Sequence, residues 1–335
     1  MNRQRIGWRF GLCLAGLVLA LANCKMVDLK RGDLGRQLTN VAQTAGKAHE
    51  ESQKCQALKE LTIAVEEETA IGGAIAVNYV SSAGGLMIDA QNPGASTNDL
   101  NRYLNRVGKN LAAQSARPNL DWTFGVVNAE GFNAFSAPGG YVFVTRGLLK
   151  RLQNEAQLAG VLAHEIAHIT ERHALNVYGA IKANQCTTAV AAGAAGELAG
   201  EFLSFKGALG SGNGFISLND PKNLKLLTKL TDKVVDKITS QGYAHDDEFN
   251  ADRVAVELML SAGYQPSEYL KVLGMIPSDG GSFSNHPTNG DRQSKITAWK
   301  QQAAQQAKAD PLSPDPDARD LKTVRLPDKL WATIR

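Results

Sequence analysis

The sequence predicts a mostly helical α+β fold with a small β-sheet and, after it in the chain, a helix that carries paired histidines. Three observations lead there. Leu158, Val161, Leu162, Ile166 and Ile169 recur at helical spacing, and so do Leu100, Leu104, Val107 and Leu111. A third stripe, Leu224, Leu227, Leu230, Val234 and Ile238, gives residues 221–238 an inward face. Between these helices, residues 122–145 alternate in strand fashion and are broken by Pro138-Gly139-Gly140, a turn sequence.

The 335 residues are 43% hydrophobic and 21% charged, an ordinary globular balance with enough apolar material for a core. The formal net charge is +3. Arg3, Arg5 and Arg9 account for as much, so the rest is near neutral, and the balance offers no electrostatic footprint for nucleic acid. Those arginines, followed by the uncharged apolar run 10–22, have the form of a secretory signal, too short for a comfortable membrane span. Two exits compete. Ala20-Leu21-Ala22 suits cleavage, and Leu21-Ala22-Asn23-Cys24 resembles a lipobox that would lipidate Cys24 and anchor the chain to a membrane. The expected division is a signal over 1–23, a tether or loosely packed helix over 24–60, one domain over 61–310, and a linker and tail over 311–335. Cys55 and Cys186 are left to the body, and an oxidising compartment would permit one bridge between them.

In chain order, residues 66–79 read as a helix, 91–96 as a loop and 100–114 as a helix. Strands are expected at 122–128, 132–135 and 141–145. A helix then starts at Asn154, a suitable N-cap with Gln157 at the capping-box position. The Ala- and Gly-rich run 189–200 is too short and interrupted to span a bilayer. A helix ending at Gly263 is expected to take Asp246 or Asp247 as its cap. A Gln- and Ala-rich helix runs to about 308, and the prolines at 311, 314 and 316 mark a linker.

The chemistry concentrates in His164-Glu165-Ile166-Ala167-His168. Histidines four apart lie one turn above each other on the same helix face and can hold one Zn2+ ion. The intervening Glu165 can take a proton from the attacking water. A catalytic zinc needs a third protein ligand, and Glu248 is the candidate. Asp252, four residues on, shares its face and can orient a ligand histidine. No Cys spacing suits a metal. His49 and His245 have no partner pattern, and His173 suits a structural or capping role.

H-E-x-x-H followed by Glu248-Phe249-Asn250-Ala251-Asp252 resembles the signature of the CAAX prenyl protease family of zinc metallopeptidases. Asn133 to Leu149 looks like that family's strand-and-turn block, and His286-Pro287 with Arg292 like its late H-P-x-x-x-x-R element. The likeness runs from about Leu100 to Arg292 and is nearest to a soluble, bacterial periplasmic branch. It implies a gluzincin-like zincin fold and hydrolysis of peptide bonds. His164, His168 and Glu248 would hold zinc, Glu165 would be the base, and Asp252 would fix a histidine tautomer. It also implies that His286 and Arg292 belong to the active site. His286 would either block the metal or, like Arg292, donate to the developing oxyanion. Asn133, Ala134, Phe135 and Ser136 would form the edge that grips substrate. The implied substrates are unfolded or misassembled envelope proteins. A chaperone or assembly lipoprotein that binds clients in the same cleft is the alternative, and an intact Glu165 argues against it.

Overall fold

The computed structural model describes residues 31–59, 63–92, 94–192, 221–276, 289–310 and 321–334. Cys24 and His286 lie outside them. The chain divides into two compact units, 1–53 and 54–335. The described part of the first is helical and belongs to α1 (Arg31–Gln56). In the second, α2 (Val65–Ser82) and α3 (Ser96–Ala112) precede the strands β1 (Thr123–Val127), β2 (Ala134–Ala137) and β3 (Tyr141–Thr145). Then come α4 (Arg146–Arg151), α5 (Glu155–Thr170), α6 (His173–Ala191), α7 (Pro221–Gln241) and α8 (His245–Ser261). The last described helices are α9 (Ser267–Met275), α10 (Asn289–Ala309) and α11 (Asp328–Trp331). No described helix is long and apolar enough to cross a membrane.

Helix α5 is the axis of this unit. Its apolar stripe predicts one buried face, yet every residue from Ala156 to Thr170 is buried. The reason is that α3, α8, α9 and β2 pack around it on all sides. Asn154 caps its start as expected, accepting the Gln157 backbone N–H at 2.9 Å. The Gln157 side chain accepts from the Gln153 N–H at 2.8 Å, one residue outside the reciprocal capping box. Gln157 also donates to Glu268 of α9, which accepts from Asn154 as well, so one carboxylate ties two helix starts together.

The sheet order is β1-β3-β2, with β1 parallel to β3 and β2 antiparallel to it. Residues 138–140 make the hairpin turn, with Gly139 at φ 81° and Gly140 at φ 104°, a region that side chains disfavour. The first hairpin strand falls two residues later than the expected 132–135. The Thr145 hydroxyl holds the Asn133 N–H at 3.2 Å and donates to the Gly131 and Asn133 carbonyls, which keeps 131–133 out of the ladder. The outer side of β1 is partly covered by the Leu86 bridge to Val127. No described residue pairs with the outer side of β2. Because Thr145 N–H bonds the Asn133 carbonyl, the antiparallel alternation turns the backbone groups of Ala134 and Ser136 toward that open side.

The expected cap of α8 is corrected. The helix starts at His245 with Ala244 at the N-cap and no side-chain cap. Asp246 and Asp247 fall inside its first turn, where carboxylates favour the positive end of the helix dipole. The tail after the prolines, which carries no periodic signal, packs into the main core through Leu326, Trp331 and Ile334. The Trp331 indole donates to the Leu149 carbonyl at 2.8 Å. Cys55 and Cys186 form a disulfide that fixes the segment before α2 to α6.

Glu68 joins four segments. Its buried carboxylate takes both ends of the Arg117 guanidinium, at 2.8 and 2.7 Å, and the Gly139 N–H at 3.1 Å. Arg117 also reaches the Ile169 carbonyl at the end of α5. Helix α2 is thereby fixed against the hairpin turn, so closely that a Cβ at Gly72 would sit 1.7 Å from the Pro138 carbonyl oxygen. Glu68→Ala strands a largely buried guanidinium and is expected to cost about 3–5 kcal/mol. Lys150→Ala, which breaks a pair with the exposed Glu130, should shift the unfolding midpoint far less. Urea unfolding midpoints read both, and equal shifts would contradict the assignment of Glu68 as a structural node.

Candidate active site

Helix α5 presents His164, Glu165 and His168, and α8, packed along it, presents Glu248 and Asp252. One ligand atom from each of His164, His168 and Glu248 lies within 4.8 Å of the others, and all three residues are buried. The two Nε2 atoms are 3.1 Å apart. Glu248 Oε2 is 3.4 Å from His164 Nε2, and its Oε1 is 3.7 Å from His168 Nε2. A tetrahedral ion with bonds of about 2.1 Å separates its ligand atoms by about 3.4 Å. Two imidazoles and a carboxylate at these separations fit a divalent cation, and the donor set suits zinc.

Each ligand histidine has an outer partner. His164 Nδ1 lies 3.1 Å from Asp252 Oδ1. Asp252 accepts in turn from Tyr269 Oη at 2.7 Å and from Arg292, through Nε at 2.8 Å and Nη2 at 2.6 Å. Burial would raise the Asp252 pKa, but the Arg292 charge outweighs it and holds the carboxyl well below the usual range. For His164, burial acts to lower the pKa, and the contacts with Asp252 and Glu248 overcome it, pushing the ring up to about 9. The two carboxylates thus favour positive charge at the point where the ligand atoms converge.

On the other side, His168 Nδ1 meets His173 Nδ1 at 2.9 Å, and His173 Nε2 lies 3.7 Å from Asp247 Oδ1. Burial lowers the His173 pKa and favours its neutral form, against the pull of Asp247. Arg172, in the left-handed region at φ 60°, lies between α5 and α6, and this reversal returns His173 to α5. Tyr243 stacks on His168 with ring centroids 4.3 Å apart.

The structure therefore brings together His164, Glu165, His168, Glu248 and Asp252. Arg292 sits behind them, fully buried, with its guanidinium directed at Asp252 and 3.0 Å from Tyr269 Oη. That places it two residues removed from the ligand atoms, where it acts on His164 through Asp252. Asn133, Ala134, Phe135 and Ser136 line a cavity of about 370 Å³ that ends on Glu165 and His168. Ser136 Oγ also donates to Glu165 Oε2 at 2.8 Å. Sequence reasoning missed this bond, the orienting position of His173, and the tyrosines 79, 243 and 269 around the site. The only signal for His173 was its distance of five residues from His168, which puts it on no shared helix face.

A small sheet against a histidine-bearing helix, with a carboxylate from a second helix completing the ligand set, defines a mostly helical α+β fold of the zincin type. The family comparison gives the same class: the profile of Peptidase family M48 matches residues 98–300, and the chain belongs to that family. It is 29% identical over 208 residues to the Mitochondrial metalloendopeptidase OMA1 of Schizosaccharomyces pombe, covering 60% of this chain and 53% of that protein. It is 29% identical over 170 residues to the Beta-barrel assembly-enhancing protease of Escherichia coli, covering 50% of this chain and 30% of the relative. The protein of the same name from Yersinia pestis is 33% identical over 112 residues, 33% of this chain and 21% of the relative. The chain thus spans about half or less of the length of these relatives.

The pair of His164 and Asp252 gives a pH signature in the metal-free chain. Asp252, with its folded pKa depressed, contributes stability that is present above its unfolded value of about 3.9 and lost as pH falls through the folded one. His164, with its pKa raised, contributes stability that is full below about 6.5 and lost as pH rises through about 9. The stability gap between the parent and Asp252→Asn should therefore be widest from about pH 4 to 6.5 and narrow on both sides. Denaturant unfolding across pH reads it, and a gap that does not change with pH would contradict the pairing. His173→Ala, with the ligands intact, should lower zinc affinity by about 10–100-fold. Competition with a chelating dye measures this, and unchanged affinity would remove His173 from the support of His168.

Proposed function

We propose that this chain is a zinc-dependent metalloendopeptidase that hydrolyses peptide bonds in unfolded or misassembled cell-envelope proteins. The observation that carries the reading is the convergence of His164, His168 and Glu248 beside Glu165, at the end of a cleft with an open strand edge. The domain limits are a leader over 1–23, a tether or loosely packed segment over 24–60, the peptidase over 61–310, and a linker and tail over 311–335 whose end packs into the core. The envelope setting is supported by the charged and apolar leader, and by the name of the two bacterial relatives, Beta-barrel assembly-enhancing protease. Within the family we place the chain in a soluble periplasmic branch, held to the outer membrane by lipid on Cys24.

When bound, zinc supplies a Lewis acid that acidifies water and polarises the scissile carbonyl. Glu165 takes the proton of the attacking water at its carboxylate and delivers it to the leaving amine nitrogen. Ser136 holds Oε2 of that carboxylate and so fixes where the other oxygen points. Asp252, itself held by Arg292, keeps the His164 ring oriented with Nε2 toward the ligand point. The outward-turned backbone groups of Ala134 and Ser136 accept an extended peptide as an added strand, which binds main chain without demanding a particular sequence. His286, by the H-P-x-x-x-x-R element, is assigned to the same site.

Purified protein should cleave casein, lose that activity with a chelator and regain it with zinc. Glu165→Gln should retain zinc while kcat falls about 10²–10⁴-fold. A variant that binds zinc and cuts as fast as the parent would contradict the role given to Glu165.

A further inference from the structure

The shortest contacts of Asp252 are not to the histidine it orients. Its Oδ1 lies 3.1 Å from His164 Nδ1, yet the same oxygen accepts from Tyr269 Oη at 2.7 Å and from Arg292 Nη2 at 2.6 Å. Arg292 Nη2 also donates to Tyr269 Oη at 3.0 Å, so that hydroxyl accepts from Arg292 and directs its one proton at Asp252. Asp252, Tyr269 and Arg292 are all buried. The tyrosine is held there by α5 itself. Gly160, one turn before His164, leaves room for it: a Cβ at Gly160 would lie 2.7 Å from Tyr269 Cβ. The neighbouring Glu268 accepts from Asn154 and Gln157 at the start of α5. The Tyr269 ring comes to rest 6.1 Å from the His164 ring, centroid to centroid.

We propose that Tyr269 is a positioning residue that weakens the hold of Asp252 on His164 and so keeps a metal bound there electrophilic. The proposal rests on the metallopeptidase reading above and adds a group that tunes its ligand set. A carboxylate that accepts strongly from a ligand imidazole makes the ring more basic. Such a ring binds the metal more tightly and leaves it a weaker Lewis acid. Here three groups share Asp252 Oδ1, and the ring has the longest of the three contacts. In a buried site with no bulk water to relax the charge, each donor on that oxygen lowers its pull on the others. The sign is therefore opposite to that of a simple support. A support strengthens metal binding, so losing it costs affinity. Losing the Tyr269 hydroxyl should instead strengthen the bond between Asp252 and His164, tighten metal binding and slow the chemistry.

The test compares the full-length parent with Tyr269→Phe, which keeps the ring beside Gly160 and leaves Asp252 both of its bonds from Arg292. Competition with a chelating dye should show zinc affinity raised by about 3–10-fold, below the usual range for direct partners of a ligand because Tyr269 acts through Asp252. In the zinc-loaded protein the proton resonance of His164 Nδ1 should move downfield, as its hydrogen bond shortens. On casein, kcat should fall by a similar factor with KM unchanged. A ring-fluorinated tyrosine at position 269 is a stronger donor and should move affinity and resonance the opposite way. Unchanged or lowered zinc affinity in Tyr269→Phe would overturn the assignment and leave the metallopeptidase reading standing. Should Tyr269→Phe not fold, an affinity that the fluorinated residue leaves unchanged or raises would overturn it equally. A parent that binds no zinc and cuts no casein would overturn the metallopeptidase reading, and the assignment with it.

Discussion

Two carboxylates on one face of α8 meet two histidines on one face of α5, and the surrounding structure holds those faces together. Both carboxylates and both rings are buried. Buried charge is costly unless it is paired and hydrogen-bonded. Asp252 is satisfied by Arg292 and Tyr269, from two further helices, so the geometry of His164 depends on groups far along the chain. Glu248 faces both imidazoles, at 3.4 Å from His164 Nε2 and 3.7 Å from His168 Nε2. His168 is oriented from the other side by His173, and the left-handed turn at Arg172 is the backbone strain that permits it.

The cleft is built around the same axis. The hairpin turn, Glu68 and Arg117 fix α2 against the end of α5, and the Cys55–Cys186 bridge fixes the segment before α2 to α6. As a result Tyr79 of α2 and Phe135 of β2 line the cleft together, with ring centroids 4.7 Å apart, beside Glu165. Ser136 links the two, since its side chain donates to Glu165 and its backbone faces the open edge.

Much of the ligand set was legible in the sequence because helical spacing encodes a face. His164 with His168, and Glu248 with Asp252, are each four apart, and no tertiary information is needed to align each pair. The strand block was legible from alternation and its Pro-Gly-Gly turn. The exact start of β2 was not, because it depends on the Thr145 side chain. His173 was given a structural default, since its approach to His168 needs a reversed chain rather than a shared face. Arg292 was drawn to the active site by resemblance, and only the fold shows that its guanidinium is directed at Asp252. Nor could spacing show that Cys55 meets Cys186, or that Leu326, Trp331 and Ile334 of an aperiodic tail enter the core. Those contacts are long-range, and nothing local marks them.

The proposed metal site takes two imidazoles from α5 and one carboxylate from α8. X-ray absorption at the zinc edge, on the purified protein loaded with one equivalent, tests it most directly. Two imidazole nitrogens and an oxygen donor are expected at about 2.0–2.2 Å, with one oxygen lost or replaced in Glu248→Ala. Sulfur in the shell, or a spectrum unchanged by Glu248→Ala, would contradict it.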